Sequence, residues 1–199
     1  SVLLGNDPEG ISEVVNDLNS DLINFWQVLA DLNLFGEFRR IIEATPFSEE
    51  LFKQSLLATD LDRVYNAVDF FIKCRQSLAG RMKSFTGITK TRTRRGMNNE
   101  VSAWLSAIEG LPEVHARLKR VLILNRPALD VIKSQDSLNT LYYIDCPYLH
   151  ETRIAKSVYE YEMSDTDHQE LLDTLKNVKG KFLLSGYHSP LYDNFSFKL

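Results

Sequence analysis

Thr140-Leu141-Tyr142-Tyr143-Ile144-Asp145-Cys146-Pro147-Tyr148 decides how this chain folds. Leu, two Tyr and Ile suit a pleated, buried strand, and the run stops at an aspartate. Pro147 cannot continue a strand interior and holds the residue before it extended, so the chain turns there with stiffened backbone. Downstream, the pattern predicts a helix over 164–177 and a second strand at Lys181-Phe-Leu-Leu-Ser185. Upstream, Arg120-Val-Leu-Ile-Leu-Asn125 reads as a strand followed by a short helix over 128–133. Glu13-Val14-Val15 is a further β-like run, leading into the turn-favouring Asn16-Asp17-Leu18-Asn19. Apolar strands alternating with helices predict an α/β fold of Rossmann-like kind, a parallel sheet with helices on both faces. Such sheets bind ligands beyond the carboxyl ends of their strands, which singles out Asn16 to Asn19, Asp145 to Tyr148 and Ser185-Gly186-Tyr187.

Between the first and second of these anchors the chain reads as helical. Leu22, Ile23, Phe25, Trp26, Leu29 and Leu32 recur at three and four, predicting one helix over 21–34 with a buried face. Further helices are predicted over 34–44, 48–57 and 60–78, and again from about 99 to 108 and 111 to 118. The aromatic face of Phe25, Trp26, Phe70 and Phe71 reads as core.

The chain has 199 residues, 44% hydrophobic, enough for one substantial core in a soluble globular protein. Its longest apolar runs fall far short of a membrane span, and no basic-then-apolar leader opens it. Cys74 and Cys146 lie far apart without paired spacing or a histidine cluster, which suggests neither a disulfide framework nor a zinc site and fits the cytosol. His115, His150, His168 and His188 show no metal spacing, so the surface is their default place. The net charge of −4 argues against a surface coated in nucleic acid. Its distribution is uneven: Arg75, Arg81, Lys83, Lys90, Arg92, Arg94 and Arg95 fall between Arg75 and Asn99 with no acidic residue among them. Residues 81–98 also hold two glycines and four threonines with little hydrophobic periodicity, and read as a basic loop.

Asp-x-Pro-Tyr directly after an apolar strand resembles the Asp-Pro-Pro-Tyr region of Dam-type adenine-N6 DNA methyltransferases. Val15-Asn-Asp-Leu-Asn-Ser-Asp-Leu22 is similar to their ribose-binding strand end. Cys74-Arg-Gln-Ser-Leu-Ala-Gly80, Ala103-Trp104 and Leu111-Pro-Glu-Val-His-Ala-Arg-Leu118 also resemble phage and bacterial members, so the likeness covers effectively the whole chain. It implies methyl transfer from S-adenosylmethionine to the exocyclic amine of adenine in double-stranded DNA. That amine is a poor nucleophile because its lone pair is delocalised into the ring. A carboxylate at Asp145 and the backbone carbonyl of Cys146 would accept its two hydrogens and turn the lone pair toward the methyl donor. Pro147 would stiffen the turn, and Tyr148 would stack on a base extruded from the duplex.

The same resemblance implies that Asp17 grips the cofactor's ribose, with Asn16, Asn19 and Asn125 as further candidate contacts. Ser185 and Tyr187 would line the target-base pocket. Residues 1–60 and 115–199 would form the catalytic domain and 61–114 a helical, basic target-recognition insertion, its Arg and Lys neutralising phosphates. Two positions depart from the pattern: Cys146 stands where proline is usual, and Pro127 where an aspartate often meets the cofactor's adenine. Family members open with glycine-rich segments that cradle the methionine end of the cofactor, and Ser1-Val2-Leu3-Leu4-Gly5 resembles the stretch immediately after those segments. The expectation is therefore an N-terminally truncated sequence lacking the first strand, with an exposed sheet edge available for self-association. Two alternatives stay open on the residues alone: a catalytically silent remnant that binds DNA or protein through residues 75–95, and a methyltransferase acting on RNA or protein amides.

Overall fold

The computed structural model describes residues 2–59, 62–87, 91–152, 161–193 and 195. They form two compact units, one built from Leu3–Val15 and Ser20–Leu124, the other chiefly from Asn16–Asn19 and Asn125–Leu199.

After the short helix α1 (Val2–Gly5) and strand β1 (Glu13–Asn16), the first unit is helical: α2 (Ser20–Ala30), α3 (Leu32–Glu43), α4 (Glu49–Leu57) and α5 (Arg63–Gln76). It continues through the two-residue strands β2 (Thr93–Arg94) and β3 (Met97–Asn98), then α6 (Asn99–Glu109), α7 (Leu111–Leu118) and β4 (Val121–Leu124). The break expected near residue 34, between helices over 21–34 and 34–44, falls three residues earlier, at Asp31. Asp31 accepts hydrogen bonds from Asn33 and Leu34 N–H, satisfying the donors that open α3, so this aspartate starts a new helix where periodicity alone runs on. Ser48, Asp62 and Asn98 cap α4, α5 and α6 in the same way. Phe38, Ile42, Phe52, Ala67, Phe71 and Trp104 form the centre of the core, with Phe25 and Trp26 packed against it. His115, expected at the surface, lies face to face on Phe35 with ring centroids 4.4 Å apart and bonds through Nδ1 to the Leu29 carbonyl at 2.7 Å. β1 and β4 pair as a two-stranded sheet. Beside it, Arg117 pairs with Glu13 and donates to the Leu3 carbonyl, and its guanidinium holds the Glu13 carboxyl below the usual range.

The second unit contains α8 (Ala128–Gln135), β5 (Leu141–Ile144), a 3-10 turn at His150–Thr152, α9 (Asp165–Leu175), β6 (Lys181–Leu184) and α10 (Pro190–Asp193). β5 and β6 are parallel, with Leu141 opposite Lys181 and Ile144 opposite Leu184. Tyr142, Ile144, Phe182 and Leu184 pack against Ile132 of α8 and Leu171 and Leu175 of α9. The alternate residues Leu141, Tyr143 and Leu183 are 67%, 50% and 58% exposed. The architecture is mixed α/β, but among the described residues the expected continuous sheet is present as separate two-stranded pieces. The burial alternates along β5 and β6, as in strands covered on one face rather than two.

The turn into β6 is set by one carboxylate. Asp136 accepts the Lys179 N–H at 2.9 Å and the Gly180 N–H at 3.1 Å, and those bonds hold its carboxyl below the ordinary aspartate range. A Cβ on Gly180 would stand 2.6 Å from the Thr140 carbonyl oxygen, so the backbones approach too closely here for any other residue. Because the folded-state pKa is depressed, the stabilisation is present above the unfolded value near 3.9 and is lost as pH falls through the folded value. Asp136→Asn is expected to lower Tm by about 2–4 °C at pH 7, with the two melting curves converging as pH falls through the depressed folded-state value. A gap that persists in acid would show that shape rather than charge matters at this turn.

Among the described residues no helix is long and apolar enough to cross a membrane.

Candidate functional site

The in-register parallel pairing of β5 and β6 ends both strands at the same level, with Ser185 N–H bonding the Ile144 carbonyl at 2.9 Å. Asp145 and Ser185 therefore leave the sheet side by side. Asp145 is exposed, whereas Cys146, Pro147 and Tyr148 are half-buried and Leu149, at 3% exposure, pins the far end of the turn. The Tyr148 hydroxyl lies 3.2 Å from Ser185 Oγ. Its ring meets that of Tyr187 edge to face at 4.9 Å, a favoured aromatic arrangement. Tyr187 also lines an open cleft of about 440 Å³ with Glu151, Thr152, His188, Ser189 and Pro190, a size in the range of ligand sites. Asp145, Tyr148, Ser185 and Tyr187, read from two stretches nearly forty residues apart, are thus one constellation: a carboxylate, a hydroxyl and two aromatic rings.

A second cluster lies where β1 and β4 end. Asn16 donates through Nδ2 to the Arg126 carbonyl at 2.9 Å and accepts the Arg126 N–H at 3.0 Å. Both ends of its amide therefore serve as a backbone bracket. Asn125 Nδ2 donates to the Asp17 carbonyl at 2.8 Å, and one Asp17 carboxylate oxygen accepts the Asn19 N–H at 2.8 Å, closing an Asx turn. The bracket and the turn fix Asp17, whose other carboxylate oxygen makes no hydrogen bond among the described residues.

The basic segment is more structured than a loop. Ser77 and Phe85 form an antiparallel bridge, and the Phe85 ring sits 5.2 Å from Phe47 and 5.8 Å from Phe52, which anchors the first half. In the second half β2 and β3 form a hairpin, Thr93 opposite Asn98 and Arg94 opposite Met97. Its two turn residues, Arg95 and Gly96, have φ of 57° and 75°, the pair of positive angles that matches a tight turn to the twist of its strands. Arg75, Arg81, Lys83, Arg92 and Arg94 are exposed. Arg95 folds back in a fork onto Glu109, at 2.9 and 3.0 Å, and reaches Ser106. Lys90 lies outside the described residues.

Neither thiol is set up as a nucleophile. Burial pushes the Cys74 thiol up to about 11, and burial raises that of Cys146 as well. Behind Cys146 lie two residues that sequence reading did not assign to the site. His168, expected at the surface, is fully buried in α9, and its Nδ1 is 2.7 Å from the Tyr192 hydroxyl, which in turn is 3.8 Å from Cys146 Sγ. No local pattern marks this trio, because its members come from three separate elements. Among the described residues no group of three His, Cys, Asp or Glu could hold a metal ion.

A family model described as D12 class N6 adenine-specific DNA methyltransferase matches residues 2–198. No curated protein matches the chain.

Proposed function

The chain belongs to the D12 class N6 adenine-specific DNA methyltransferase family, and we propose that it transfers a methyl group from S-adenosylmethionine to the exocyclic amine of adenine in duplex DNA, with the target base turned out of the helix. The reading is supported above all by the grouping of Asp145, Tyr148, Ser185 and Tyr187 at the common end of β5 and β6. In it, the Asp145 carboxylate and the Cys146 carbonyl accept the two amine hydrogens and localise the lone pair. Tyr148 offers the base a ring face, and Ser185 and Tyr187 bound the pocket, offsetting part of the stacking lost on extrusion. The exposure of Asp145 gives the proton shed after transfer a path to water.

S-adenosylmethionine, when bound, supplies an electrophilic sulfonium methyl. The residues at the end of β1 fit its ribose: Asp17 has one carboxylate oxygen tied to Asn19 and the other directed to no protein donor among the described residues, a preset acceptor for a diol. Asn16 and Asn125 act on the cofactor through this bend by bracing it. Asp17→Ala is expected to weaken S-adenosylmethionine affinity about 10- to 100-fold by calorimetric titration, as for loss of hydrogen bonds to a charged group. Unchanged affinity would remove Asp17 from the cofactor site.

Residues 61–114 serve in this reading as the target-recognition insertion on a Rossmann-like catalytic domain of residues 1–60 and 115–199. Exposed Arg75, Arg81, Lys83, Arg92 and Arg94, together with Lys90, contact phosphates, and Arg95 joins them by exchanging Glu109 for the DNA backbone. The apolar face of Leu141, Tyr143 and Leu183 and the edges of a two-stranded sheet favour self-association, which sedimentation at rising concentration measures. The deciding experiment is calorimetric titration with S-adenosylmethionine followed by transfer of labelled methyl to adenine-containing duplex. Binding with transfer supports the enzyme. DNA binding without either cofactor affinity or transfer overturns it in favour of a silent DNA-binding member.

A further inference from the structure

The turn that carries the Cys146 carbonyl is constrained from one side only by the chain itself. Pro147 restricts the backbone of Cys146 to extended conformations but leaves its side chain and φ free to shift. The structure supplies a second constraint from behind. Cys146 packs by its side chain against the core of α8 and α9, and its Sγ faces the Tyr192 hydroxyl at 3.8 Å. That hydroxyl is held in turn at 2.7 Å by Nδ1 of the buried His168, with the two rings edge to face at 5.8 Å. The Tyr192 ring also passes 3.8 Å from where a Cβ on Gly186 would lie, so it stands beside the loop after β6 as well as the loop after β5. Either histidine tautomer completes the chain of hydrogens. A neutral Nδ1 accepts from the tyrosine, whose oxygen then accepts from the thiol; an Nδ1–H donates to the tyrosine, whose hydrogen then points at sulfur. Burial pushes both the Tyr192 phenol and the Cys146 thiol up, so both keep their hydrogens near neutral pH.

We propose that Tyr192, locked by His168, is a positioning residue for methyl transfer: it fixes the side chain of Cys146 and thereby the backbone carbonyl that orients the substrate amine. The inference rests on the methyl-transfer reading of the site. It assigns a role to a buried histidine and a half-buried tyrosine, and it explains how a cysteine serves at a position where only its carbonyl is used. A carbonyl free to swing lowers the population of the reactive geometry without altering how substrates bind, so the effect falls on kcat rather than KM.

The test is a double-mutant cycle of Tyr192→Phe and Cys146→Ala, read by transfer kinetics and, without DNA or cofactor, by the rate at which iodoacetamide labels Cys146, resolved from Cys74 by peptide mass spectrometry. Tyr192→Phe is expected to lower kcat about five- to tenfold with both KM values within about twofold, and to raise Cys146 labelling by a similar factor, as for loss of one neutral hydrogen bond. Cys146→Ala should lower kcat equally, and the double variant should be no slower than either single one. Full activity in Tyr192→Phe, or losses that multiply, overturns the proposal. If Tyr192→Phe fails to fold, Cys146→Ala decides alone, and a change in kcat below about twofold overturns it. If the wild-type protein transfers no methyl group, it is the functional reading that fails, and the labelling arm still decides whether Tyr192 holds Cys146: an unchanged rate shows that it does not.

Discussion

Asp145→Ala is expected to lower methyl transfer to adenine-containing duplex by about 10²- to 10³-fold, while S-adenosylmethionine affinity stays within about twofold. The size reflects what the proposed chemistry asks of the carboxylate. An amine whose lone pair is shared with a ring attacks only when its hydrogens are held, and removing one of two acceptors leaves the group free to rotate. The fold should hardly notice. Asp145 is exposed, and the neighbours that fix the turn, buried Leu149 and the Ser185 bond to Ile144, are untouched, so Tm should move by about 1–2 °C. Single-turnover transfer of labelled methyl, with calorimetry and circular dichroism on the same preparation, separates the two effects. A Tm loss that tracks the activity loss would make Asp145 a structural residue and end its assignment to the chemistry.

Trp104→Ala is expected to be the most destabilising single change in the helical unit, at about 3–5 kcal/mol, or a fall in Tm of about 10 °C or more. Trp104 is 2% exposed, its ring lies 5.3 Å from that of Phe71 in α5, and its indole N–H donates to the Thr45 carbonyl just beyond α3 at 3.1 Å. Truncation therefore removes the largest fully buried side chain and strands a carbonyl. Trp104→Phe fills most of the space and isolates the hydrogen bond, so its cost should be nearer 1 kcal/mol above the small change in volume. Urea unfolding of the three proteins checks the order. Equal midpoints for Trp104→Ala and wild type would mean that α6 contributes little to this core.

Much of the fold is readable in one dimension because it rests on local rules. The helical periodicity of the segments that carry them reads Phe25, Trp26, Phe70 and Phe71 as core, and Phe70 and Phe71 are buried while Phe25 and Trp26 pack against the core; the apolar runs 121–124 and 141–144 are strands. Asp31 defeats the periodicity because a cap is a matter of one side-chain oxygen, which a hydrophobic count cannot register. The hairpin at Thr93 to Asn98 reads as loop for a similar reason: two-residue strands carry no alternation, and the turn uses Arg95-Gly96 rather than the commoner Asn-Gly. Of the candidate site, the strand-end residues Asp145, Tyr148, Ser185 and Tyr187 are legible because each comes after an apolar run. What they touch is not. The contact of Tyr148 with Ser185, the return of Arg95 to Glu109 and the trio of Cys146, Tyr192 and His168 are long-range pairings, fixed by packing and leaving no mark on neighbouring residues.

The parallel pairing of β5 with β6 also has a cost in time. Each residue of β5 pairs with one forty positions later, Leu141 with Lys181, so on the ribosome β5 emerges without its partner. At about 5–20 residues per second the strand waits roughly 2–8 s for its partner. During that interval Leu141 and Tyr143, exposed even afterwards, stand beside Tyr142 and Ile144 as an apolar run of four, a target for chaperones and for neighbouring nascent chains. Stalled nascent chains long enough to bring β5 but not β6 out of the exit tunnel are expected to be cut by protease near β5, and chains long enough to release both strands to be protected there; equal cutting at both lengths would mean that β5 is sheltered before its partner arrives.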